Sequence, residues 1–510
     1  MAEVDYSIGV SPLRERPLAE SGGTNPAKVM SAPGEGSMPV GGLAPGAWAL
    51  PGSVVVDLYS LADIGLIVVA ALAAKYFYIG HILGSFSSDL PYFSASLIVA
   101  LVAFIKMRKS GLYSIERVND DSVRLRSVFT AIATAFLFAV LAAYLLKIGH
   151  TFSRGWAILW FLTSVGAVSL WHVARVRLLR AHLAAGRLRR RVAVIGHREI
   201  VAQFLEPLRG EKTVEVALSH SFASSGREAE EEIEDSGELN RFVSRARRQG
   251  IEDVVVAMRL DRTDVINRII ETCSQLSANV RLYHPYLSSR SSALGSFRIA
   301  DLTLFNAETT PLSPWEFVAK WTFDRVVAAL LLTVLSPLLV VIAALIKIES
   351  RGPVFFAQRR AGLDHAEFRV LKFRTMSCVE DGPVVQQASR NDSRVTRLGN
   401  ILRRTSLDEL PQLINVICGE MSLVGPRPHA LAHNEQYGAL VERYANRHRV
   451  RPGITGWAQV NGFRGPTVET ELMRKRVEYD LFYIENWSFW FDLKILILTP
   501  LKVILGDNAY

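Results

Sequence analysis

Cysteine is nearly absent: Cys273, Cys378 and Cys418 are the only three in 510 residues, with neither paired nor zinc-like spacing. That excludes a disulfide framework and fits a reducing cytoplasmic setting. The chain also lacks anything resembling a cleaved signal peptide. No nucleic-acid motif accompanies its net charge of +9. A strand-like "RVAVIG" leads into "GHREIVAQF", which supplies Gly196 but not the second and third glycines that let a pyrophosphate approach the backbone. This favours a structural or regulatory role for that segment over nucleotide binding.

Long apolar runs are what the sequence does have. Nearly half of the residues are hydrophobic, and they are concentrated rather than spread. Leu58 to Ile79, Tyr92 to Ile105, Val128 to Ile148 and Ala157 to Val173 each qualify as a membrane span, for which about 20 apolar residues suffice as helix. Before them, a Gly-, Pro-, Ser- and Ala-rich stretch reads as a disordered cytoplasmic tail over 1–56.

Charge sets the expected orientation. Lys106, Arg108, Lys109, Arg117, Arg124 and Arg126 follow the second run, and a second arginine-rich stretch from Arg175 to Arg191 follows the fourth. The two other loops hold only Arg154. Both basic stretches therefore face the cytoplasm, and arginines beside anionic lipid account for the positive charge without nucleic acid. The expectation is a membrane protein with a four-helix transmembrane bundle over 57–176.

From 190 to 290 the pattern turns to soluble α/β. "RVAVIG", "EDVVVAM" and "ANVRLYH" read as strands, with helices over Glu199 to Leu208 and "RTDVINRIIETCSQL". Alternation of this kind favours a small Rossmann-like parallel sheet. The acidic segment from Gly210 to Gly237 reads as a solvated loop or surface helix.

A fifth apolar run, Val326 to Ile346, holds Ser336 and Pro337 at its centre. Proline removes a backbone donor and crowds the preceding turn, so it bends or breaks a helix. Crossing would carry a strongly basic region, beginning with Lys347, Arg351 and Arg359, to the outside. The positive-inside tendency opposes that. The expectation is a re-entrant helix over 324–347, broken at Ser336-Pro337, that enters and leaves by one face.

Beyond it, "TSLDELPQL" sets Asp408 and Glu409 ahead of Pro411 and an apolar helix. Pro411 fits only the first turn, so the carboxylates are expected at the helix's positive end. Taken alone, Asp408 reads as an N-cap. Its surroundings are cationic: Arg390, Arg394, Arg397, Arg403 and Arg404 precede it. Lys372 and Arg374 share a strand face by period-two spacing, "GPRP" confines Arg427, and Arg451 stands at a glycine-rich turn. Cations around two carboxylates suit a phosphorylated substrate with a divalent metal such as Mg²⁺.

At these residues the chain resembles a known family. "SPLLVVIAALIKIESRGPVFFAQ", "VLKFRTM", "TSLDELPQL", "GEMSLVGPRP" and "RPGITGWAQVNG" are similar, in order, to the catalytic domain of the bacterial monotopic polyprenyl-phosphate phosphoglycosyl transferases. The bundle and the α/β domain resemble the large members of that family. The C-terminal portion looks closest to those that start exopolysaccharide repeats with glucose. The resemblance implies a C-terminal α+β catalytic domain over 320–510, on the cytoplasmic face of the bacterial inner membrane. It implies transfer of sugar 1-phosphate from a UDP-sugar to undecaprenyl phosphate, with Mg²⁺ as cofactor and UMP released. Glucose is the expected sugar, with galactose or another UDP-sugar as alternatives. It further implies a covalent intermediate on Asp408, which would also hold the metal, with Glu409 as the second member of the dyad. Lys372, Arg374, Arg403, Arg427 and Arg451 become candidate substrate-binding residues, and a homodimer is the expected assembly. Two other classes remain at this point: a glycosyltransferase that moves sugar alone and releases UDP, and a membrane sensor or scaffold for polysaccharide assembly. Along the C-terminal tail, Trp487, Phe489, Trp490 and Phe491 suit either the membrane surface or packing on the domain, while Asp492 and Lys494 oppose spanning.

Overall fold

The computed structural model describes residues 51–84, 88–113, 124–211, 213–222, 236–259, 263–285, 296–299, 302–376, 394–431, 437–438, 440–441, 443–465 and 470–505. Residues 1–50 of the expected tail, half of the acidic segment, Arg390 and Cys378 lie outside them, while 52–56 are already helical, which corrects the expected end of the tail at 56.

Four helices come first: α1 (Gly52–Lys75, prolonged by a π-helical turn over Tyr76–Ile82), α2 (Leu90–Lys109), α3 (Arg124–Leu145) and α4 (Arg154–Ala184). They share one apolar cluster. Alanines line its interior, among them Ala71 and Ala74 on α1, Ala100 and Ala103 on α2, and Ala131 and Ala135 on α3; such small residues let helix backbones approach closely. Helices α1 and α4 are further joined by a ladder of indoles. Trp156 donates to Ala71 O at 2.9 Å, Trp160 to Ile67 O at 3.0 Å and Trp171 to Tyr59 O at 3.1 Å. A buried ion pair joins the same helices: Arg175 meets Asp63, between the rungs at Tyr59 and Ile67, at 3.0 Å, and Tyr113 donates to the same carboxylate at 2.9 Å. Both helices run past the expected spans; on α4 the extension includes Arg175, whose charge is satisfied by Asp63 inside the bundle.

The α/β domain contains β1 (Arg190–His197), α5 (Arg198–Leu205), β2 (Val214–Phe222), α6 (Ser236–Gln249), β3 (Asp253–Ala257), α7 (Thr263–Cys273), β4 (Asn279–Tyr283), β5 (Ser296–Ile299) and β6 (Leu302–Glu308). The sheet order is β2-β1-β3-β4-β6-β5. The first four strands run parallel, and β6 and β5 extend the sheet antiparallel. Two expectations are corrected here. Val214–Phe222 is an edge strand rather than a loop, and the sheet continues to Glu308 rather than ending at 290. Gly196 serves packing: a Cβ there would stand 1.9 Å from Ala257 O on the neighbouring strand.

The last domain opens with α8 (Pro314–Glu349), capped by Ser313 and Glu316 in a reciprocal capping box. Next come the β7 (Phe355–Ala361) and β8 (Glu367–Phe373) hairpin, α9 (Arg397–Thr405), α10 (Gln412–Cys418), the short parallel pair β9 (Ser422–Val424) and β10 (Gly453–Thr455), α11 (Trp457–Val460), α12 (Thr470–Glu485) and α13 (Phe489–Leu505). Helix α8 continues through Ser336 and Pro337, where the expectation was a break. The missing proline N–H leaves the Thr333 carbonyl without its usual helical donor. Ser336 Oγ supplies one at 2.7 Å.

Both limbs of α8 are held by this same domain. On the N-terminal limb, Lys320 Nζ donates to Val424 O at 3.1 Å and pairs with Asp492 at 2.6 Å, while Ser422 Oγ donates to Asp324 at 2.7 Å. On the other, Ile342 and Ile346 pack with Phe373 and Leu402, and Leu398 N donates to Glu349 at 3.0 Å. Between the limbs Leu330, Val334, Val340 and Val341 are exposed. The tail helix α13 is packed rather than loose: Asp492 also accepts from Tyr483 at 2.8 Å and Trp487 at 3.1 Å. Its outer face keeps Trp490, Ile497 and Leu501 exposed.

Polar contacts join the three parts. Trp315 donates to Asp57 at 2.8 Å, Ser277 N to Asp364 at 2.9 Å, and Arg449 to Thr309 O at 2.8 Å.

Candidate active site

Helix α9 ends at Ser406, whose φ of 59° is left-handed. The chain then makes a 3-10 turn over Leu407–Glu409 before α10 begins at Gln412. The dyad therefore sits at the N-terminal side of α10, as expected, but in a separate turn ahead of it, with Pro411 just before the first helical residue. The reason is Pro411 itself, which cannot donate to Leu407 O as a continuous α-helix would require. Leu410 N bonds that carbonyl instead, at 3.3 Å. Leu407 packs into the apolar cluster of Ile342, Ile346, Phe373 and Leu402, and this draws both carboxylates inward. Asp408 is 8% exposed and Glu409 6%.

The two carboxylates meet different surroundings. Glu409 Oε1 accepts from Lys372 Nζ at 2.8 Å and from Arg427 at 2.8 Å. Arg464 stands 3.6 Å from Oε2. Burial alone would raise the Glu409 carboxyl, but Arg427 and Lys372 outweigh it and hold the group well below the usual range. Asp408 is pushed the other way, first by burial and then by the charge of Glu409, with Lys372, Arg403 and Arg427 opposing. Glu409 is thus the permanent counter-ion of the cations, while Asp408 is poised. Among the described residues, no side chain is hydrogen-bonded to the Asp408 carboxylate.

Three expected site residues, Lys372, Arg427 and Arg403, stand with the dyad. Arg403 Nε donates to Thr375 at 3.1 Å, and its charge bears on Asp408. Two do not join the set. Arg374 lies one residue past the end of β8, so period-two alternation no longer applies, and its guanidinium donates to Ser350 O at 2.9 Å and Arg351 O at 2.7 Å. It clasps the exit of α8; a Cβ on Gly352 would come within 2.0 Å of it. Arg451 instead lies over the ring of Phe317 at 5.2 Å, with the charges of Arg325 and Asp324 bearing on it, at the root of α8. Arg397 and Arg404 are exposed. Sequence reasoning missed Arg464, which no local spacing marks, and Arg360, whose guanidinium reaches Pro428 O at 3.4 Å.

A metal would find one free hard donor here, the Asp408 carboxylate. No group of three His, Cys, Asp or Glu forms a cage among the described residues. That fits Mg²⁺, which is commonly held by one or two carboxylates together with substrate phosphates and water. Chemically, an available carboxylate beside a fixed row of cations suits attack on a phosphorus whose leaving group is itself a phosphate.

Residues 315–506 match the family profile described as "Bacterial sugar transferase", and 108–283 match a "CoA-binding domain". The chain is 38% identical to the UDP-glucose:undecaprenyl-phosphate glucose-1-phosphate transferase of Escherichia coli K12, over 83% of this chain and 92% of that protein. It belongs to the bacterial sugar transferase family. The similarly named enzyme of Xanthomonas campestris pv. campestris is 39% identical over 73% of this chain and 78% of the relative. That of Caulobacter vibrioides reaches 56% over 38% of this chain and 72% of the relative. The protein is accordingly a phosphoglycosyl transferase, and the dyad lies inside the region matched to the sugar transferase profile.

Proposed function

We propose that this transferase moves glucose 1-phosphate from UDP-glucose to undecaprenyl phosphate, the first membrane step of exopolysaccharide synthesis, through a covalent phosphosugar on Asp408. The observation that carries the reading is the division of labour in the dyad: Glu409 is consumed by Lys372 and Arg427, whereas the Asp408 carboxylate is left for chemistry. The relatives' names supply the substrates.

In the first step an Asp408 oxygen attacks the phosphorus bonded to the sugar. The new O–P bond forms as the bridging P–O bond breaks, and UMP leaves with that electron pair. The acceptor's phosphate oxygen then attacks the same phosphorus. The acyl phosphate bond breaks, undecaprenyl-diphospho-glucose departs and the Asp408 carboxylate is restored. Neither displacement requires a proton from the protein. Lys372, Arg427 and Arg464 are within reach to neutralise the diphosphate. Mg²⁺, held through Asp408 and the substrate, would add charge stabilisation of the leaving phosphate.

The expected result is UMP release from UDP-glucose that needs both undecaprenyl phosphate for repeated turnover and Mg²⁺, and that stops on chelation. A panel including UDP-galactose and UDP-N-acetylglucosamine tests the sugar. Release of UDP in place of UMP would overturn the reaction, and release of neither would favour a sensor or scaffold.

The same reading places four helices across the inner membrane and has α8 enter and leave by the cytoplasmic face. Support comes from the anchorage of both α8 limbs on one domain; a straight 36-residue helix would separate its ends by about 54 Å. The exposed apolar middle of α8 and the outer face of α13 then meet lipid. Cys418 is exposed on the catalytic domain. It should resist a membrane-impermeant maleimide in intact spheroplasts and react after permeabilisation. Labelling from outside would make α8 a crossing helix.

A further inference from the structure

The cations that hold Glu409 are themselves held from behind. Arg427 and Arg464 lie on separate loops, one after β9 and one after α11. Helix α12 brings Arg476 and Asp480 together, four residues apart and so on one face. Asp480 accepts from Arg447 at 2.6 Å, and the same guanidinium nitrogen of Arg447 donates to the backbone carbonyl of Arg427 at 2.9 Å. Arg476 donates to the carbonyl of Gly465, next to Arg464. Arg447 and Asp480 are each 2–3% exposed.

We propose that the Arg447–Asp480 pair and Arg476 are positioning residues: from α12 they fix the two loops that present Arg427 and Arg464 to Glu409. Solvation does not explain them, since all three are buried away from water. Nor does charge balance alone, because a simple ion pair has no need of the Arg427 carbonyl. Neighbouring His429 supports the arrangement. Its ring nitrogen lies 2.7 Å from Tyr444 Oη, and burial, followed by the charges of Arg447 and Arg476, holds it neutral. Asp480 is therefore the anion that lets Arg447 remain charged at this depth. Arginine suits the task because its planar fork serves a carboxylate and a carbonyl at once.

The inference rests on the proposed use of the Asp408–Glu409 site. Its test is single-turnover UMP release by the full-length enzyme in membranes. Asp480→Asn should lower the rate constant tenfold or more with the amplitude of UMP release per total enzyme unchanged; a purely structural role would lower that amplitude and spare the rate. The same change on an Arg427→Ala background should cost less than threefold, because the group it positions is already gone. Should Asp480→Asn fail to accumulate, Arg447→Lys carries the test. It keeps the cation but loses the fork, and the same split between rate and amplitude is expected. A rate within twofold of wild type, or an equal cost on both backgrounds, overturns the proposal. Asp408→Asn measured alongside separates the two failures: if it stays active the site reading falls, and if it is silent while Asp480→Asn is normal only the positioning role falls.

Discussion

Asp408→Asn should abolish UMP release, lowering turnover by about 10⁴-fold or more, the scale expected when a covalent nucleophile is lost. Asparagine keeps the shape of the side chain, so packing around Leu407 should persist. Losing the carboxylate removes the acid of the dyad that, among the described residues, accepts no hydrogen bond from a cation. Rapid quenching of the wild-type enzyme with UDP-glucose should leave a hexose phosphate on the peptide containing Asp408, detectable by mass spectrometry and missing from the variant. Near-normal turnover in the variant, or an adduct on another residue, would remove Asp408 from the mechanism.

Glu409→Gln is expected to do different damage. Lys372 and Arg427 would lose their shared acceptor charge, and Arg464 its nearest anion. Removing one partner of a fully buried ion pair costs about 3–5 kcal/mol; here Lys372 and Arg427 keep some solvent contact, so a smaller loss is expected, and the catalytic domain should still melt earlier in detergent. Turnover should fall by roughly 10²–10³-fold, the scale of misplacing charges aimed at a developing anion. Unlike Asp408→Asn, the variant should still trap some phosphosugar, because the attacking group survives. A Gln variant with unchanged melting would mean that the three cations find other partners and that Glu409 does not organise them.

Much of this architecture could be read from the residues, and the failures have physical causes. Long apolar runs announce helices, so α1 to α4 and α8 were legible as helices long and apolar enough to cross a membrane. The indole ladder from α4 to α1 was not, because tryptophans 85 to 112 residues from the carbonyls they bond carry no local pattern. Strand β2 was hidden by its half-polar sequence, "VEVALSHSF", beside an acid-rich segment. Antiparallel β5 and β6 broke the strand–helix rhythm on which the domain boundary relied. Around the site, Asp408, Glu409 and Arg427 stand in rigid, recognisable stretches. Arg374 was misplaced because period-two reasoning was carried one residue beyond its strand. Arg464, Arg447 and Asp480 could not be found from spacing at all, since α12 gathers them from distant parts of the chain.

Among the described residues, every side chain ion-paired with Glu409 comes from the sequence that follows α8, and both limbs of α8 and the tail helix are bolted to that same stretch. Among the described residues, neither the bundle nor the α/β domain lends Glu409 an ion-pair partner. The chemistry is thus portable: the preceding domains are free to diverge, acquire sensors or disappear during descent while the reacting groups keep their places.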